Sequence, residues 1–133
     1  LVQALKELAF RMNRAGSVHL TIQATGIEER LPSEYEVAIY RVCQEWTNNV
    51  MKYSGATRID IQLVDHERDL TLMIEDNGQG FDPENLERGR GNGWKNIQSR
   101  IQILKGDVEV DTVPEKQGNT FIANIPKTAQ AAA

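Results

Sequence analysis

The amino-acid sequence predicts an α+β domain, a two-layer α/β sandwich in which a mixed five-stranded sheet carries three helices on one face. Three observations predict it. Three segments repeat apolar residues at helical spacing, five segments alternate apolar and polar residues, and the two kinds follow one another in the order αβαββαββ.

Residues 1–15 place Leu1, Leu5, Leu8 and Met12 on one helical face, and Gly16 stops that helix. Val18, Leu20 and Ile22 then alternate with His19, Thr21 and Gln23, which reads as a strand. Ser33 and Glu36 have the spacing of a capping box ahead of a long helix reaching about Ser54. Its apolar stripe is Ile39, Val42/Cys43, Trp46, Val50 and Tyr53, and Gly55 ends it. Residues 57–64 and 70–76 alternate through Ile59, Ile61, Leu63 and Leu70, Leu72, Ile74, with the charged run 65–69 turning between them as a β-hairpin. The stretch Asp76–Phe81 is too glycine-rich for regular structure. Trp94, Ile97, Ile101 and Leu104 give a third helix, stopped near Gly106; Val108, Val110 and residues 119–125 supply two more strands.

The chain has 133 residues, enough for one domain with a core that needs no staple, here residues 1–127 with a disordered tail at 128–133. Its net charge of −4 argues against nucleic acid or an anionic membrane as the main partner. One cysteine, Cys43, excludes an intrachain disulfide and a cysteine-rich zinc site. No apolar run approaches the ~18 residues of a membrane span. The opening residues carry charge within the run and do not read as a signal peptide. A cytoplasmic domain is the expectation, whether or not the full-length protein is anchored to a membrane.

Four places carry chemistry. On the long helix, Glu45, Asn49, Lys52 and Tyr53 fall within about a 100° arc at the rim of the apolar stripe. An amide oxygen there suits Mg²⁺ and a lysine suits phosphate; the alternative is a half-exposed face with an intrahelical Glu–Lys pair. Asp76 lies two residues beyond Ile74 and so points inward, where a carboxylate needs a donor such as an exocyclic amino group. The alternative is that Asp-Asn-Gly simply begins a turn. Gly89-Arg-Gly91-Asn-Gly93 opens into a helix, and glycines at a helix N-terminus let phosphate approach backbone N–H groups; it is neither a Walker A motif nor a dinucleotide fingerprint, and a flexible loop is the alternative. Gly118-Asn-Thr120, taken alone, is only a turn.

Together, in this order, the four segments resemble the GHKL superfamily of gyrase, the 90-kDa heat-shock chaperone, histidine kinases and MutL-type repair proteins. Gln44–Tyr53 resembles its N box, Asp76-Asn-Gly78-Gln-Gly80-Phe81 its G1 box, Gly89–Gly93 its G2 box and Gly118–Thr120 its last glycine/threonine element. The Gln-Glu opening of the N box, the short G1–G2 segment and Gly91-Asn-Gly93-Trp94-Lys-Asn-Ile97-Gln-Ser-Arg100 resemble the subgroup of nitrate-sensor and membrane-fluidity-sensor kinases. Trp94 departs from that pattern's usual leucine, and Tyr53-Ser54 from its frequent His-Ala.

The resemblance implies a Bergerat-type ATP-binding fold with ATP and Mg²⁺ as ligands. It assigns Asn49 to Mg²⁺, Lys52 and Tyr53 to the phosphates, Asp76 to the adenine amino group, and Gly78 and Gly80 to close approach of the base. Gly91 and Gly93 would donate to phosphate, and Thr120 would support the adenine end. Glu45 and Asn49 are the catalytic candidates. The implied activity is γ-phosphoryl transfer to a histidine on a separate dimerisation hairpin, in a homodimeric kinase that signals to a response regulator. His19 and His66 read as surface residues, so the chain alone is not expected to autophosphorylate. An anti-sigma-factor serine kinase, a non-catalytic ATP-binding module and a gyrase-like ATPase are the competing readings.

Overall fold

The computed structural model describes residues 1–16, 18–27, 31–80, 93–112 and 117–127. Among them are three helices, α1 (Val2–Ala15), α2 (Ser33–Tyr53) and α3 (Gly93–Ile103), and five strands. The strands are β1 (His19–Thr25), β2 (Arg58–Asp65), β3 (Asp69–Gln79), β4 (Asp107–Asp111) and β5 (Gln117–Pro126). They form one sheet in the order β1-β2-β3-β5-β4. β1 and β2 are parallel, joined by the crossover through α2, and the other pairs are antiparallel. The order, the five strands and the mixed sheet agree with the sequence reading. The expected tail at 128–133 lies outside the described residues.

One face of the sheet makes the core. Leu20, Ile59, Ile61, Leu63, Leu70, Leu72, Ile74, Phe121, Ala123 and Ile125 are fully or almost fully buried, as strict alternation requires. Against them lie Leu5 and Leu8 of α1, Ile39, Val42, Trp46 and Val50 of α2, and Ile97 and Ile101 of α3. Trp46 is the centre of this layer: its ring centroid lies 5.0 Å from Phe121 and 5.9 Å from Trp94, both tilted contacts. Trp94, where the subgroup pattern has leucine, therefore anchors the start of α3 to α2 through an aromatic pair.

Local signals account for most element ends. Gly16 closes α1 at φ 81°, with its N–H on Asn13 O at 3.1 Å. The 65–69 turn is held by His66 N–H to Asp69 O at 2.8 Å, with Glu67 at φ 76° and its N–H on Asp65 Oδ1 at 3.0 Å. After α3, Lys105 turns at φ 62° and Gly106 donates to Ile101 O at 2.9 Å.

Two expectations are corrected. The Ser33/Glu36 capping box does not form. Pro32, at φ −53° and ψ 144°, occupies the cap, so Ser33 is already the first helical residue. Glu36 instead reaches back to accept from Leu31 N–H at 3.3 Å. The glycine-rich stretch after Ile74 is also not irregular throughout, because β3 runs on to Gln79. Its end is secured from both sides. Asn77 Oδ1 accepts from Thr57 and Arg58 N–H at 3.0 Å each, Gln79 N–H donates to Ser54 O at 2.8 Å, and a register shift between Asp76 and Gln79 absorbs the irregularity against β5.

Candidate functional site

Asp76 faces the helical layer, as its phase with Leu70, Leu72 and Ile74 dictates, and is 9% exposed. Its Oδ1 accepts from Gly78 N–H at 2.8 Å and from Asn119 Nδ2 at 2.9 Å. Its Oδ2 is buried with no hydrogen-bond partner among the described residues. Burial pushes this carboxyl above its ordinary pKa, outweighing donation from Asn119 and Gly78 N–H; the nearby Ser54 hydroxyl also opposes the rise but spends its own proton on Val50 O at 2.7 Å. The Asp-Asn-Gly turn reading is thus half right: Asp76 does bond the N–H two residues on, but within a strand and facing the core.

The glycines around it serve the packing. A β-carbon on Gly78 would lie 2.3 Å from Ser54 Oγ and 2.7 Å from Ser54 O, so only glycine lets β3 close on the end of α2. The resemblance gives Gly78 to approach of a base; in the structure its neighbour is Ser54. Gly80 is buried at the end of this segment.

Thr120 stands one residue out of phase with the apolar positions of β5. It pairs across the ladder with Glu75 and Asp111 and lines with them a polar cavity of about 250 Å³ that Asp76 and Asn119 line as well. Strand alternation gives the inward position to Asn119, one residue earlier and in phase with Phe121, Ala123 and Ile125. Asn119 is 2% exposed and was the residue missed. Counting back by twos from the apolar face of β5 would have found it.

The second group of polar atoms lies where α2 meets the start of α3. A β-carbon on Gly93 would be 3.7 Å from Asn49 Nδ2 and 3.8 Å from Glu45 Oε2. Both atoms are buried and have no hydrogen-bond partner among the described residues, as is Arg100 Nε two turns further along α3. Burial raises the Glu45 pKa, with the charges of Arg100 and Arg41 opposing that rise. Lys52 and Tyr53 continue the same side of α2 by another turn and are exposed, Tyr53 at 48%. Gly91 lies outside the described residues.

The arrangement therefore offers two sets of polar groups without partners among the described residues, one on β3 beside the end of α2 and one where α2 meets α3. Ser54, the cap residue of α2, closes on the Asp76 end; Asn49 and Glu45 form the other end with the N-terminus of α3. Buried polar atoms without partners are costly and uncommon, and a ligand that satisfies them recovers that cost. An oxygen-only acceptor at one end suits a single donor group. An amide and a carboxylate beside a helix N-terminus suit an oxyanion and a hard cation. Among the described residues no cluster of three or more His, Cys, Asp or Glu could hold a metal ion unaided, and no helix is long and apolar enough to cross a membrane.

Comparison with known proteins places these residues in context. Residues 34–129 match the family model described as histidine kinase-, DNA gyrase B-, and HSP90-like ATPase. The signal transduction histidine-protein kinase/phosphatase DegS of Brevibacillus brevis is 28% identical over 130 residues, covering 98% of this chain and 33% of that protein. The sensor histidine kinase MctS of Rhizobium johnstonii is 30% identical over 131 residues, covering 97% of this chain and 28% of that protein. The chain thus spans a third or less of the length of these relatives. Among solved structures, the catalytic domain of histidine kinase ThkA superposes with a TM-score of 0.72 at 17% identity, over 95% of this chain and 89% of that one. The histidine kinase domain of the Erythrobacter litoralis blue-light activated kinase gives 0.70 at 18% identity, over 96% and 65%.

Proposed function

Because this chain belongs to the histidine kinase-, DNA gyrase B-, and HSP90-like ATPase family, we propose that it is the ATP-binding catalytic domain of a sensor histidine kinase. The domain comprises residues 1–127 and works on the cytoplasmic side. The observation that carries this reading is Asp76 Oδ2, a buried acceptor without a partner among the described residues, held in place by two donors on its sister oxygen. An adenine amino group supplies the missing donor. Gly80 leaves room beside it for the base.

The triphosphate runs along α2 toward α3. Gly93, with Gly91 before it, offers backbone N–H groups to phosphate oxygens, favoured by the helix N-terminus. Lys52 adds a positive charge at the exposed end, and Tyr53 a hydroxyl. Asn49 presents an amide whose buried N–H₂ lacks a partner among the described residues and whose oxygen suits Mg²⁺. Glu45, one turn away, orders the surrounding waters or polarises the incoming imidazole. Mg²⁺, when bound, neutralises charge on the phosphates. The chain's own residues hold the nucleotide in place, since phosphoryl transfer asks the protein mainly for positioning and charge.

The acceptor is a histidine on a separate dimerisation hairpin of the same kinase, in a homodimer that passes the phosphoryl group to a response regulator. His66 is tied into the hairpin turn by a 3.1 Å contact with Thr71 Oγ1, and His19 lies exposed on β1, so neither is suited to enter the site. The test is calorimetric titration with ATP and ADP, with and without Mg²⁺, followed by incubation with labelled ATP and a cognate hairpin. Saturable binding and label transfer to the hairpin, with none retained by the chain alone, are expected. No heat on mixing millimolar nucleotide with folded protein would overturn the reading.

A further inference from the structure

Every polar atom of the Asn119 side chain is engaged. Nδ2 donates to Asp76 Oδ1 at 2.9 Å and to the Gln79 carbonyl at 3.2 Å, while Oδ1 accepts from the Thr112 hydroxyl. An amide has its two donors on nitrogen and only acceptor capacity on oxygen. Turning it over would set Oδ1 against two acceptor oxygens, so the amide has one orientation.

The consequence falls on Asp76. With Asn119 and Gly78 N–H both on Oδ1, the plane of the carboxylate is fixed and Oδ2 is its single remaining acceptor. Without the amide, Oδ1 keeps one donor only. The carboxylate can then rotate, and a proton on it would turn an acceptor into a donor. The backbone pairing of Asp76 with Asn119 holds β3 to β5 whatever the side chain is, so the amide is not required for the ladder.

We propose that Asn119, oriented by Thr112, is a positioning residue that makes Asp76 selective for a purine bearing an exocyclic amino group. The proposal rests on the nucleotide-site reading above. It assigns selectivity to a residue that itself lies behind the carboxylate.

The test compares two ligands that differ only in that amino group, ADP and purine riboside 5′-diphosphate, on wild type, Asn119→Leu and Thr112→Val. A bond to a buried carboxylate should make wild type favour ADP by about tenfold or more. In Asn119→Leu most of that preference should vanish through weaker ADP binding, with affinity for the amino-less ligand kept within about threefold. Thr112→Val, which removes one hydroxyl, should lose part of it. A general distortion of the site would weaken both ligands equally; that result, or an intact preference in Asn119→Leu, overturns the role of Asn119. If Asn119→Leu does not fold, an unchanged preference in Thr112→Val overturns it. A wild type that binds both ligands equally well overturns the assignment of Asp76 to the purine, and this proposal with it.

Discussion

A β-carbon added to Gly78 would sit 2.3 Å from the hydroxyl oxygen of Ser54. The two residues join the last turn of α2 to the end of β3, and Gln79 N–H bonds Ser54 O at 2.8 Å beside them. Part of the obstruction is the Ser54 carbonyl, 2.7 Å from the added atom, which cannot rotate away. Gly78→Ala is expected to destabilise the fold by about 1–3 kcal/mol, as overpacking does. Thermal unfolding followed by circular dichroism measures it. The double variant Gly78→Ala/Ser54→Gly should recover part of the loss. An unchanged melting temperature in the single variant would contradict the packing described.

Asp76 is costly to the unliganded fold. Its carboxyl is raised above the ordinary range by burial, against the donation of Asn119 and Gly78 N–H and the nearness of the Ser54 hydroxyl. A carboxyl with a raised folded-state pKa binds its proton more readily folded than unfolded. Stability therefore declines as pH rises through the interval between the two values, and the loss is complete above it. Asp76→Asn carries no charge to bury and keeps an oxygen for Asn119. Without ligand it should melt above wild type at pH 7, the difference closing as pH falls below about 4. The same substitution should weaken ADP binding, since it sets an amide against the amino group. A variant less stable than wild type at pH 7 would show that the carboxylate is satisfied after all.

Asp65 gives the opposite pH dependence. Burial raises its pKa, but the Lys127 hydrogen bond at 2.6 Å, Glu67 N–H and the charges of Lys127 and His66 together bring it below the ordinary range. A depressed carboxyl contributes stability that is present above its unfolded pKa and is lost as pH falls through the folded value. Asp65→Asn should melt lower than wild type at neutral pH and converge with it below about pH 3. A gap that persists undiminished at pH 2 would assign the effect to packing.

Cys43 has no exposed surface, and burial pushes its thiol up to about 12. Since the thiolate is the reactive form, the native protein should resist a disulfide reagent at pH 8 and take up one equivalent when unfolded. Fast stoichiometric labelling of folded protein would place Cys43 elsewhere.

The layers of the fold were legible because alternation and helical spacing are consequences of burial, and nearly every apolar position of β2, β3 and β5 is buried. The same rule placed Asp76 inward. It also holds for Asn119, two residues before Phe121 in the strand 119–125, but the resemblance assigns the supporting role to Thr120. Ser33 and Glu36 had the right spacing, yet Pro32 shifted the helix start by one residue. The contact of Gly78 with Ser54 spans two elements and left no local pattern to find. Arg100 belonged to a recognised pattern, but its nearness to Glu45 depends on how α3 packs on α2.

One uninterrupted helix carries Asn49 and ends at Ser54, which closes on the strand bearing Asp76. Five residues of helical rise, about 7.5 Å along the axis, separate the backbones of Asn49 and Ser54, and loop movement cannot alter that figure. α2 works as a ruler. For the nucleotide proposed above, a molecule too short to bridge that interval would leave one end dry of partners, so length would screen candidates before any individual contact does.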